Sequence, residues 1–195
     1  PPGTTPNSSD QVLGLVTDAD GSLWARAQAP SLLRYRDGRF ESSFAGLDPG
    51  EPAVTAMSRG RDGRLLLTAL RGGALRHRDG KFERLARTEA MPPGVVIAMT
   101  EAPDGRIWLG TRDAGLFTFV SGRITAVNDG LPDRKVNCIL AKGDHDLWVG
   151  TDNGVVRWNG TELTREGVSP ALSRVRALVM IRDRESNLWI GTGDG

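Results

Sequence analysis

The chain has 195 residues, 38% of them hydrophobic and 25% charged, with a net charge of +1. That length holds one domain with a real core and permits a second small one. The near-neutral balance gives no electrostatic reason to expect nucleic acid or an anionic membrane as partner. Cys138 is the only cysteine, so neither an internal disulfide nor a cysteine metal cluster can form, and no apolar run approaches the eighteen residues of a membrane span.

In chain order, residues 1–10 read as a flexible leader, with neither a basic region nor an apolar stretch of a signal peptide. A repeat of about 40 residues follows. Asp20-Gly21-Ser22-Leu23-Trp24, Asp62-Gly63-Arg64-Leu65-Leu66 and Asp104-Gly105-Arg106-Ile107-Trp108 align without gaps. Asp144-His145-Asp146-Leu147-Trp148 and Glu185-Ser186-Asn187-Leu188-Trp189 continue the series, at spacings of 42, 42, 40 and 41 residues. Upstream of each unit, Val12, Val54, Val96, Val136 and Val175 open apolar stretches expected to be buried strands near the centre of a sheet. Downstream lies a column of rings, Tyr35, His77, Phe119 and Trp158, then the hairpin dipeptides Asp37-Gly38, Asp79-Gly80, Ser121-Gly122 and Asn159-Gly160.

Each unit parses as four short antiparallel strands, which the third unit places near 95–100, 106–110, 115–119 and 123–127. The expected fold is all-β, a β-propeller of four-stranded blades with repeats at 11–52, 53–94, 95–134, 135–173 and 174–195. Blades must stack to bury both faces, with the Trp column between them. The fifth unit carries two of its four strands, so about four and a half blades are expected, as part of a larger propeller.

Leu147-Trp148-Val149-Gly150-Thr151, Leu188-Trp189-Ile190-Gly191-Thr192 and Asp104-Gly105-Arg106-Ile107-Trp108-Leu109-Gly110-Thr111 share a pattern. Together with the linker Gly130-Leu131-Pro132 and its weaker copies Gly46-Leu47-Asp48-Pro49 and Gly167-Val168-Ser169-Pro170, they resemble the two-component regulator propeller repeat of bacterial sensor proteins. Trp24-Ala25-Arg26-Ala27 and Leu66-Leu67-Thr68-Ala69 lack the Gly-Thr pair. The resemblance implies the extracytoplasmic sensing part of a membrane-bound regulator, on the periplasmic or extracellular side of the inner membrane. A histidine kinase or diguanylate cyclase output would follow. Ligands of such propellers are often glycans.

No catalytic residue, metal site or cofactor is expected. The Asp residues at 20, 62, 104 and 144 recur in register as turn formers, and their spacing does not fit a calcium loop. His77 falls in the ring column and reads as packing, His145 as an exposed turn and Cys138 as a small core residue. Gly72-Gly73 lacks the Lys and Ser/Thr of a phosphate loop. A binding face is expected on the rim that gathers the second-to-third-strand loops and the linkers between blades. That rim carries Arg71, Arg112, Asp113, Arg134, Lys135, Asp152, Asn153 and Arg174. Its mixed charge suits an unknown polar small molecule or glycan, or a second copy of the chain. Two alternatives stand beside the sensor: an enzyme similar to the streptogramin lyases, which act through a His–Glu arrangement, and a protein-binding scaffold.

Overall fold

The computed structural model describes residues 11–28, 31–42, 53–70 and 73–193. The expected leader (1–10), the linker copy at 46–49, Arg71, Gly72 and the last two residues lie outside them. The chain divides into two compact units, residues 1–91 and 92–195.

The first unit holds two four-stranded antiparallel sheets. Blade 1 contains β1 (Val12–Thr17), β2 (Leu23–Ala27), β3 (Leu32–Arg36) and β4 (Arg39–Glu41). Blade 2 contains β5 (Val54–Arg59), β6 (Leu65–Ala69), β7 (Gly73–Arg78) and β8 (Lys81–Ala86). In the second unit, blade 3 is β9 (Val96–Glu101), β10 (Ile107–Thr111), β11 (Leu116–Val120) and β12 (Arg123–Ala126). Blade 4 is β13 (Val136–Gly143), β14 (Asp146–Thr151), β15 (Gly154–Trp158) and β16 (Leu163–Thr164), and blade 5 is the hairpin of β17 (Ala177–Arg182) and β18 (Leu188–Thr192). Every sheet is a meander, as short strands joined by tight turns require. Among the described residues no helix is long and apolar enough to cross a membrane.

The turns follow from their residues. Asp37-Gly38, Asp79-Gly80 and Ser121-Gly122 have both φ angles positive, the conformation that matches the twist of a two-residue hairpin. Between first and second strands, the carboxylates of Asp20, Asp62 and Asp104 each accept the backbone N–H two residues on, from Ser22, Arg64 and Arg106. Asp144 departs from this set. It shares a tight two-residue turn with the exposed His145, closing the pair Gly143 and Asp146.

Two expectations are corrected. The first strands are sheet edges, not centres: among the described residues β1, β5, β9 and β13 each pair with one neighbouring strand. The most buried strands are the second ones, β6 and β10, which pair on both sides and are covered on both faces. First strands gain burial from the next blade, as where β9 packs beside β13 and β13 beside β17. Val175 does not open the fifth first strand. Ala177 does, pairing with Thr192 as Val136 pairs with Thr151 and Val96 with Thr111.

Three residues of the Trp column, Trp24, Trp108 and Trp148, fill blade junctions, whereas Trp189 is exposed. Trp24 is fully buried with Val54, Leu65, Leu67, Leu75 and Phe82 of blade 2. Trp108 packs with Val136, Leu147, Val149 and Val156 of blade 4, its ring 5.4 Å from that of Trp158. Trp148 is half-buried against Ala177 and Met180 of blade 5.

Candidate functional site

The Gly-Thr pair of the second-strand motif builds the rim of the second unit. A Cβ on Gly110 would lie 2.5 Å from Cγ1 of Val136, and one on Gly150 would lie 2.5 Å from Sγ of Cys138 and 2.8 Å from Cβ of Ala177. Only glycine lets the next blade's first strand come this close. The threonine then pins the loop that follows. Thr111 is fully buried, its hydroxyl donating to the Gly115 carbonyl (2.9 Å) and accepting from the Ala114 N–H (2.9 Å). Thr151 repeats the arrangement with the Gly154 carbonyl (2.8 Å) and the Asn153 N–H (3.2 Å).

These pinned loops carry Arg112, Asp113, Asp152 and Asn153 to the same edge as the inter-blade linkers. Lys135 Nζ lies 3.0 Å from Asp152 Oδ2, and Asn137 Nδ2 donates to Asp152 Oδ1 at 2.8 Å. Arg176 Nε stands 3.7 Å from the same carboxylate. The Asn137 amide, then Lys135 and Arg176, hold the Asp152 carboxyl below the usual carboxylate range. Arg134 donates to the Ala114 carbonyl at 3.4 Å, while Asp133 accepts from the Lys135 N–H. Asn128 accepts from the Leu116 N–H and donates to the Ala114 carbonyl, locking linker to loop. Arg112, Asp113, Asn153 and Arg174 are exposed.

The structure thus joins Lys135 to Asp152, and Arg134 to the loop bearing Arg112 and Asp113. Asn137 and Arg176 escaped the sequence reading. Arg176 precedes Ala177 as Lys135 precedes Val136, so correct register in the fifth unit would have exposed it. Asn137 is the one side chain with an amide in an otherwise apolar strand start, which is a weak signal.

The first unit offers a different cluster at the opposite strand ends. The β1–β2 and β7–β8 turns bound a cavity of about 440 Å³ lined by Asp18, Asp20, Arg36, Arg64, His77 and Asp79. Its floor is a buried polar knot. Asp18 Oδ2 lies 2.9 Å from His77 Nδ1 and accepts from Trp24 Nε1 at 3.2 Å. The His77 ring stands edge-on to Trp24, with centroids 4.9 Å apart, so it does pack in the ring column as its place suggests. Around the mouth, Arg36 pairs with Asp20 (2.8 Å) and Arg64 with Asp79 (3.0 Å).

Among the described residues no group of three or more His, Cys, Asp or Glu could hold a metal ion. Cys138 is half-buried inside the blade 4–blade 5 junction, where burial pushes its thiol up to about 12. A thiol held protonated at neutral pH is a packing group rather than a nucleophile.

The family model of the two component regulator propeller matches residues 90–113 and 130–153. No curated protein matches the sequence. Among solved structures, the chain is similar to the extracellular domains of two B. thetaiotaomicron proteins assigned as hybrid two component systems. One is 19% identical with a TM-score of 0.69 over 92% of this chain, the other 22% identical with a TM-score of 0.70 over 98%. This chain spans 26% of the length of each. It is also similar to a catalytically inactive virginiamycin B lyase from Staphylococcus aureus with quinupristin. There the identity is 18% and the TM-score 0.72, covering 97% of this chain and 65% of the lyase. At these identities the likeness shows the β-propeller fold.

Proposed function

We propose, from the match of the two component regulator propeller model to residues 90–113 and 130–153, that the chain is a propeller of that family and serves as a non-catalytic ligand-sensing or interaction module of a bacterial membrane-bound signal-transduction protein. The observation that carries this reading is the pair of family-matched repeats, whose Gly-Thr motifs fix the loops of a polar rim. The likeness to extracellular domains of two component systems supports a place outside the cytoplasm. The rim of Arg112, Asp113, Arg134, Lys135, Asp152, Asn153 and Arg174, extended by Asn137 and Arg176, suits a polar ligand rich in hydroxyl or carboxylate groups, such as a glycan. Carboxylates, amides and guanidinium groups set side by side offer donors and acceptors together.

Calorimetric titration of the chain against a panel of neutral and acidic oligosaccharides tests this. At least one should bind, and K135A or D152A should weaken it about tenfold while the oligosaccharide is recovered unchanged. Binding unaffected by either substitution would move the site off this rim.

A propeller enzyme is the second reading. It is favoured by the buried Asp18–His77 pair at the floor of a cavity, together with the lyase likeness. An aspartate bonded to Nδ1 orients an imidazole for proton transfer at Nε2. Conversion of a bound oligosaccharide or cyclic peptide, abolished by H77A, would favour this reading over the sensor.

A further inference from the structure

The cavity of the first unit lies between blades 1 and 2, each of which has all four of its strands. The junction of blades 3 and 4 is built differently at the same place. Ala102 stands there where Asp18 stands in blade 1, its backbone N–H donating to Arg106 as that of Asp18 donates to Ser22. Trp158 takes the place of His77, one residue after the arginine that faces the second strand. Its indole packs on Trp108. Stacking of blades therefore requires neither the carboxylate nor the imidazole, and an imidazole occupies less of the junction than an indole.

The His77 side chain is 7% exposed, yet it lines the cavity. Its Nδ1 lies against Asp18 Oδ2, which also accepts from the Trp24 indole. A carboxylate oxygen in that position makes Nδ1 the donor of a neutral ring and leaves Nε2 as its acceptor. Nε2 has no hydrogen-bond partner among the described residues. The charges around it do not balance. Arg36 is engaged by Asp20 and Arg64 by Asp79, while Arg34, over the Trp24 ring, is engaged by Glu41. Asp18 is left with neutral donors: its neighbour's backbone N–H, the indole and the imidazole. The cavity is thus one positive charge short, beside a buried nitrogen lone pair that accepts from nothing.

We propose that this cavity is a binding site for a small primary amine, whose ammonium group donates to Nε2 of His77 and sets its charge near Asp18. The volume of about 440 Å³ falls within the roughly 300–1,000 Å³ of small-molecule sites. Asp79 places one oxygen on Arg64, and its other oxygen, without a partner among the described residues, is a second acceptor at the mouth. An anion is disfavoured, because three carboxylates already face two guanidinium groups here. The site stands at the opposite strand ends from the rim and requires no turnover, so it rests on neither functional reading above.

Titration of the whole chain with n-butylamine, n-butanol and butyrate, followed by the imidazole proton signals, tests the inference. The chain has two histidines, and the exposed His145 serves as the reference. A dissociation constant of about 1 mM is within reach of a ligand this small. The amine should shift the His77 signals saturably and leave those of His145 in place, with the alcohol and the acid at least about tenfold weaker. Protonation of His77 removes the acceptor and supplies the missing charge. Amine binding should therefore be about tenfold weaker at pH 5 than at pH 8, on either side of the ordinary imidazole value of about 6.5. By calorimetry, D18A/H77W, which copies the Ala102–Trp158 arrangement, should lose the amine, while K135A and D152A keep it. H77F, with the ring of Phe119 in blade 3, repeats the test should the double variant misfold. No saturable shift of His77, equal binding of alcohol or acid, or the opposite pH dependence overturns the proposal. So does amine binding that survives D18A/H77W or is lost in the rim variants.

Discussion

Asp18 satisfies two buried donors with a single carboxylate oxygen, the His77 imidazole and the Trp24 indole. D18A would remove the acceptor that both groups share, at about 1–3 kcal/mol for the lost buried hydrogen bonding. D18N, which keeps an acceptor, should lose less, and urea unfolding of both variants measures the difference. The sequence placed His77 in the ring column but said nothing of Asp18, because an aspartate beside an Asp-Gly turn reads as one more turn residue. The position carries Gly60 in blade 2 and Ala102 in blade 3, and only Asp183 of blade 5, bonded to Trp189 as Asp18 is to Trp24, repeats it. Other carboxylates set the response to acid. Asp146 is held below the usual carboxylate range by its bond to Arg157 (2.6 Å) and by Lys142, and Asp152 by Asn137, Lys135 and Arg176. A folded-state value below the unfolded one means that these groups stabilise the fold fully above the unfolded value, near pH 4. That contribution is lost as pH falls through the folded value. Thermal midpoints should therefore drop below about pH 4, and D146N should flatten the drop while lowering the midpoint at pH 7.

Strand number, turn positions and hairpin type were legible because each turn has its own chemistry: Asp or Ser before Gly for the positive φ pair, and Asp two residues before a backbone donor. The Gly-Thr motif was legible only as a pattern. Its cause lies between blades, where Gly110 leaves room for Val136, and in the loop, where Thr111 is tied to Gly115. G110A should thus destabilise by about 1–3 kcal/mol through overpacking of the blade 3–blade 4 junction, readable as a lowered denaturation midpoint. R26A at the equivalent place in blade 1, where Arg26 reaches back to the Leu13 carbonyl at 3.2 Å, should cost far less. Apolar runs misled about the first strands. Continuous hydrophobicity marks burial on both faces, which a sheet's central strand and an edge strand covered by a neighbouring blade share. The fifth unit misled by two residues because Val175 resembles the valine column while Ala177 keeps its spacing.

At the scale of the molecule, the blades place chemistry at both ends of their strands. One end of the second unit carries a rim of pinned loops and paired charges. The opposite strand ends in the first unit bound a cavity over a buried Asp–His pair. The rim was legible because topology alone gathers those loops. The cavity was not, since its floor joins residues 59 positions apart on different blades. A module in a signalling protein should sit among further blades, a membrane helix and an output domain, and the family resemblance carries that expectation. The most direct test is to read the coding sequence on either side of residues 1–195. Further Leu-Trp-x-Gly-Thr units, then a membrane-spanning helix and a kinase or cyclase domain, are the expected result. An open reading frame holding these 195 residues without any of them would contradict the sensor account and leave a self-assembling or scaffold propeller in its place.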